Sequence, residues 1–152
     1  MPARVHTIAF PSEVGDFSDE VRQVFLELGR VFGPEFLAGE YAPALDVYET
    51  DDTVEVAVDL PGVDAAAVRI LSKGDALLIA GEKPPRRVRG ESSFHLVERG
   101  YGRFVRVVRV SQSCDTSKAR AMLVAGELRV SLPKIAERRG RTTPIAITTP
   151  NH

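Results

Sequence analysis

The side chains able to carry catalysis are few, and their spacing matches no chemistry. His6, His95 and His152 lie far apart, and none has a second histidine or a cysteine at ligand spacing, so no metal site is expected. Cys114 is the only cysteine and has no histidine near it in sequence. It reads as a plain loop thiol, with redox sensing the lesser alternative. Gly100-x-Gly102-x-x-Val105 is a truncated dinucleotide fingerprint without its third glycine or its helix, and reads as a turn. The chain contains neither a P-loop nor a G-x-S-x-G elbow, so neither ATP use nor an acyl-transfer serine is indicated. The clusters Arg86-Arg87-Val88-Arg89 and Arg138-Arg139-Gly140-Arg141 read as solvated loop charges rather than a nucleic-acid surface. The expectation is a protein that is not an enzyme and needs no cofactor.

Composition points the same way. A chain of 152 residues fits one domain with appendages. A net charge of -1 supplies no field to draw in nucleic acid or an anionic membrane. No apolar run approaches the ~18 residues that span a bilayer, and no apolar stretch follows the start as in a secretory leader. A lone cysteine excludes an internal disulfide and suits a reducing compartment, so a cytoplasmic location is expected.

Two kinds of element are visible. Five of the seven phenylalanines (Phe10, Phe17, Phe25, Phe32 and Phe36) precede Tyr41. From Val14 the apolar positions Phe17, Val21, Val24, Phe25, Leu28, Val31 and Phe32 repeat as one helical face, which Gly33-Pro34 ends. Two readings stay open: a helix packed on its own domain, or a Phe-rich face shared among subunits or lent to other proteins. The concentration of aromatics in a detachable segment favours the second. The acidic polar face argues against a membrane-surface helix.

After Tyr41-Ala42-Pro43 the pattern turns to alternation. Val54, Val56 and Val58 alternate with polar residues, and 68–73 and 76–82 are joined by Gly74-Asp75, a hairpin signal. The segments 94–98 and 104–110 read as further strands. Leu128, Val130 and Leu132 form a last one, entered through Gly126 and closed by Pro133. Seven or eight short strands with turns every eight to ten residues predict an all-β fold, an antiparallel β-sandwich.

Particular residues narrow this further. Ala121-x-x-x-x-Gly126-x-Leu128 followed by Leu132-Pro133-Lys134 resembles the signature of the α-crystallin-type domain of small heat-shock proteins. Asp59-Leu60-Pro61-Gly62-Val63, then Leu77-Leu78-Ile79-Ala80-Gly81-Glu82, resemble its first half. The run 94–106 resembles its central segment in the bacterial and plant style. The resemblance implies an immunoglobulin-like sandwich over 44–134, a partly helical arm over 1–43 and a flexible extension over 135–152. Ala125 stands where the family usually has Asn, Glu127 replaces a small apolar residue, and Val110-Ser111 replace Leu-Pro. Ala tolerates a left-handed turn less well than Asn, so a local change is expected there, with Gly126 carrying the strained position.

The resemblance also implies a dimer formed by exchange of the strand 94–98, with Phe94, His95, Glu98 and Arg106 at the interface. Arg106 shares a strand face with Phe104, Val108 and Val110, so its charge points toward an apolar layer and needs a partner, for which Glu98 is the candidate. In the tail, Pro144 holds the approach extended, and Ile145 and Ile147 point to one face with Ala146 to the other. This is similar to the family's isoleucine-x-isoleucine anchor, which adds to a neighbouring subunit's sheet edge. By analogy Ile70, Leu71 and Leu123 would line the receiving groove. The alternative for the two isoleucines is a final strand of their own domain.

The function implied is that of an ATP-independent chaperone, a holdase. Such a protein would bind non-native client proteins, here through Phe10, Phe17, Phe25, Phe32 and Phe36, and would assemble as a homo-oligomer without nucleic-acid or membrane partners. The other reading is a CS-type β-sandwich co-chaperone adaptor, which binds one folded partner as a small unit.

Overall fold

The computed structural model describes residues 17–32, 41–110, 114–135 and 145–150. One helix, α1 (Ser18–Phe32), precedes seven strands: β1 (Leu45–Glu49), β2 (Thr53–Asp59), β3 (Val68–Lys73), β4 (Ala76–Lys83), β5 (Gly102–Arg109), β6 (Arg120–Val124) and β7 (Glu127–Pro133). They form two antiparallel sheets, one ordered β1-β2-β7-β6 and the other β3-β4-β5.

Alternation sets the core. Val54, Val56 and Val58 of β2 stand in register with Leu132, Val130 and Leu128 of β7, and all six are buried. They meet Leu77 and Ile79 of β4 and Phe104 and Val108 of β5 from the facing sheet. Opposite faces of the same strands carry Thr53, Glu55, Arg129 and Ser131, because successive side chains point to opposite sides. Strand β4 departs from alternation. All eight of its residues are buried, since one face looks into the sandwich and α1 covers the other.

The turns follow backbone chemistry. Gly74, at φ 61°, opens the two-residue link between β3 and β4, as a hairpin with glycine first requires. Between β6 and β7 the link is Ala125-Gly126, with Val124 paired to Glu127. Both residues take positive φ, 51° for Ala125 and 78° for Gly126. The hairpin keeps the twist-matched two-residue turn, and Ala125 carries part of the strain itself.

Cys114 differs from expectation as well. It is a buried member of the core cluster, bridged to Lys134 on the backbone, rather than an exposed loop thiol. Burial pushes its thiol up, the nearby Glu49 adds to this, and reactivity falls accordingly.

Tyr41 and Pro43, just before β1, close one side of the sandwich. Tyr41 meets Phe104 edge-on, with ring centroids 5.8 Å apart, and donates its hydroxyl to the Asp59 carbonyl. β3 and β6 each lie at an edge of their sheet, with no strand paired on the outer side among the described residues.

Candidate functional site

Within its own chain the helix packs on the sheet. Phe17, Val21, Val24 and Leu28 are buried against Ala76, Leu78 and Ala80 on the outer face of β4, with Phe25, Val105 and Val107 at the margin. Ala76 and Ala80 supply the small side chains that let a helix approach a sheet closely. Charges flank the seat: Lys73 lies 3.3 Å from Glu20, and Arg69 lies 3.9 Å from Glu27. The backbone hydrogen bond to Glu20, then the one from Lys73, hold that carboxyl below its usual range. Of the phenylalanines expected to meet clients, Phe17 is therefore covered and Phe25 half-buried. Phe10, Phe36 and the side chain of Phe32 lie outside the described residues.

Beneath Phe25 lies a pair that sequence reading missed. Glu82 and Arg103 face each other across β4 and β5, with Arg103 Nε 3.1 Å from Glu82 Oε1 and its guanidinium 4.5 Å from the Phe25 ring. Glu82 is buried and its Oε2 has no hydrogen-bond partner among the described residues. Burial raises its carboxyl above the usual range, against the opposing hydrogen bond and charge of Arg103. The available signal was a carboxylate two residues beyond Ala80, on the alternating face that Leu78 and Ala80 share.

The segment 94–98 forms no strand within its own chain. Phe94, Leu96 and Val97 are 55%, 74% and 52% exposed, and His95 and Glu98 are exposed beside them. Arg106 does point inward between Phe104 and Val108, as its strand parity requires, but Glu98 is not its partner here. Its Nη1 donates to the Pro43 carbonyl at 2.8 Å, and burial pushes the guanidinium down.

Ile70 on the edge strand β3 and Leu123 on the edge strand β6 are each packed against the sandwich core. Leu71 does not join them. It pairs with Leu78 on the opposite face of β3 and borders a groove of about 420 Å³ beside α1. Ile145 and Ile147 are 89% and 94% exposed and belong to no strand of their own domain.

Comparison with known proteins agrees with this architecture. The model of the Hsp20/alpha crystallin family matches residues 46–148. The chain belongs to that family. Heat shock protein 16 of Schizosaccharomyces pombe is 33% identical over 132 residues, covering 83% of this chain and 86% of the relative. Spore protein SP21 of Stigmatella aurantiaca is 29% identical over 106 residues, covering 70% of this chain and 63% of that protein. Among solved structures, Heat shock protein 16.0 from Schizosaccharomyces pombe superposes with TM-score 0.60 at 34% identity, covering 72% of this chain and all, 100%, of the other. A small heat-shock protein from Xylella fastidiosa, described as having a distinct high order structure, gives TM-score 0.58 at 31% identity over 73% of this chain and 98% of its own. Hsp20 membership supports a chaperone role, and the two-sheet β-sandwich is the fold of these small heat-shock structures. No helix among the described residues is long and apolar enough to cross a membrane.

Proposed function

We propose that this chain is a cytoplasmic, ATP-independent holdase that captures unfolding proteins and works as a homo-oligomer. The observation that carries the proposal is apolar surface that the chain's own fold leaves uncovered: Phe94, Leu96 and Val97 in one segment, Ile145 and Ile147 in another. Single apolar residues on a surface are ordinary, but two clustered segments of them call for partners.

In this reading 94–98 adds to the partner's free β1 edge, where Val47 faces inward yet is 44% exposed. Glu98 of an incoming segment would then supply the carboxylate that Arg106 lacks. The extension carries Ile145 and Ile147 to a neighbour's β3 and β6 edges, where Ile70 and Leu123 receive them. The eleven residues from Lys134 to Ile145 reach about 35 Å when extended. Burying two isoleucines is worth roughly 3–6 kcal/mol before ordering costs, a weak contact that multivalency makes firm and that still permits exchange.

Clients would meet the arm and the sheet face under α1. A helix of 15 residues is marginal alone, so heating releases it and bares Leu78, Val105 and Val107 together with its own Phe17 and Phe25. The test is heat-induced scattering from a thermolabile enzyme, with this chain at near-equal subunit ratio and no nucleotide. Suppression is expected. Unhindered aggregation across the temperature range in which the chain stays folded would refute the reading.

A further inference from the structure

Four cations converge at one corner of the sandwich. A pocket of about 410 Å³ is lined by Lys83, Arg86, Arg87 and Arg99, with Tyr101 in its wall and Asp64 on its border. Its walls come from three parts of the chain: the turn after β2, the exit from β4, and the approach to β5. Lys83 is the telling member. It is only 8% exposed, its ammonium lies 4.7 Å above the Tyr41 ring, and no oxygen among the described residues receives a hydrogen bond from it. Arg86 stacks 5.0 Å from the Tyr101 ring. Asp64 forms no ion pair with any of the four among the described residues.

The Lys83 stem is buried while its ammonium opens into the pocket, and an ammonium crowded there by other cations is unfavourably placed unless an anion joins it. Burial, then the charges of Arg99 and Arg86, push the Lys83 ammonium down. We infer that this pocket binds a small oligophosphate, with two or three linked phosphoryl groups spanning Lys83, Arg86, Arg87 and Arg99. A carboxylate brings one charge and two oxygens, too few for four cations facing one carboxylate. Each phosphoryl group brings up to about two charges and three acceptor oxygens. Guanidinium forks match phosphate geometry in pairs of parallel hydrogen bonds, while lysine serves as a point charge. The volume exceeds that of a single oxyanion, which favours linked groups over orthophosphate.

The consequence is mechanical. The pocket joins both ends of the segment 84–101 to the corner at Gly62 and Asp64. An occupant would staple the base of that segment and restrict how its exposed middle, with Phe94, Leu96 and Val97, is presented.

The experiment is calorimetric titration of the full chain with inorganic pyrophosphate and triphosphate. Orthophosphate, sulfate and sodium chloride at equal ionic strength serve as comparison arms. The expected result is saturable binding at one site per chain, tighter for the linked phosphates than for orthophosphate or sulfate. Arg99→Gln and Arg87→Gln should each weaken it at least tenfold, while Arg129→Gln, on the outer face of β7, leaves it unchanged. These arginines lie outside the core, so circular dichroism should show both variants folded; Lys83→Gln is the complementary buried variant. Bound pyrophosphate should also slow amide exchange at 84–87 and 99–101. Heats that never saturate, equal effects from sodium chloride at matched ionic strength, or full affinity in both arginine variants would overturn the inference. None of those results would bear on client capture, which the scattering assay reads independently.

Discussion

Replacing Leu28 by alanine should separate α1 from its sheet without unfolding the sandwich. Leu28 is fully buried, at 0% exposure, against the outer face of β4. A leucine-to-alanine change at such a site costs ~2–5 kcal/mol. The penalty falls first on the helix, because its 15 residues cannot sustain themselves in water once undocked. The sandwich keeps its own core of paired valines and leucines, so its opening free energy is largely untouched. Amide exchange read by mass spectrometry should show α1 opening ~30- to ~4,000-fold more often, since each 1.4 kcal/mol is tenfold. Protection across β2 and β7 should hold. The same variant should suppress client aggregation at a lower temperature than the parent, because the covered face is already bare. Leu26→Ala, at a 53% exposed position on the same helix, is the control and should shift stability by less than about 0.5 kcal/mol. If β2 and β7 lose protection in step with α1, the helix is part of one cooperative core and the release argument fails.

Three further predictions follow from the geometry. Ala125→Asn should stabilise the domain by about 0.5–1 kcal/mol, because Ala125 sits at φ 51° where Asn is better tolerated; an unchanged or lower urea midpoint would contradict this. The raised Glu82 carboxyl has a definite sign: its stability contribution is full below the usual glutamate range and is lost as pH rises through the folded value. Glu82→Gln should therefore gain stability relative to the parent between acidic and neutral pH in paired melts, and a relative loss would mean the Arg103 pair outweighs burial. Ile145→Ser with Ile147→Ser should lower the native mass to small units and leave circular dichroism unchanged, since both side chains are exposed; a retained large assembly would remove the tail as an anchor.

Much of the fold was legible because period-two alternation is written directly in residues such as Val54, Val56, Val58, Leu128, Val130 and Leu132. The glycine turn at Gly74-Asp75 was equally plain. Helical spacing marked the apolar face of α1 but not its destination, since a periodic face names no partner. One clue was present: the unbroken apolar run Ala76-Leu77-Leu78-Ile79-Ala80 implies a strand covered on both sides, and only α1 was available to cover the second. Strand parity also argued against placing Ile70 and Leu71 in one groove. Other features leave no trace in sequence. The partner of Arg106 is a backbone carbonyl, which every residue possesses. The meeting of Arg86, Arg87 and Arg99 with Lys83 depends on the path of a long loop, and no periodicity encodes that.

The most direct test of the chaperone account is to heat a thermolabile enzyme with this chain, without nucleotide, and pass the mixture over a sizing column with light-scattering detection. The account predicts that the chain alone elutes as a large homo-oligomer. After heating, non-native enzyme should co-elute with it in a soluble complex of higher mass. A chain that elutes as a monomer, leaves the enzyme to precipitate, and binds only folded partners would contradict the holdase reading and favour the adaptor.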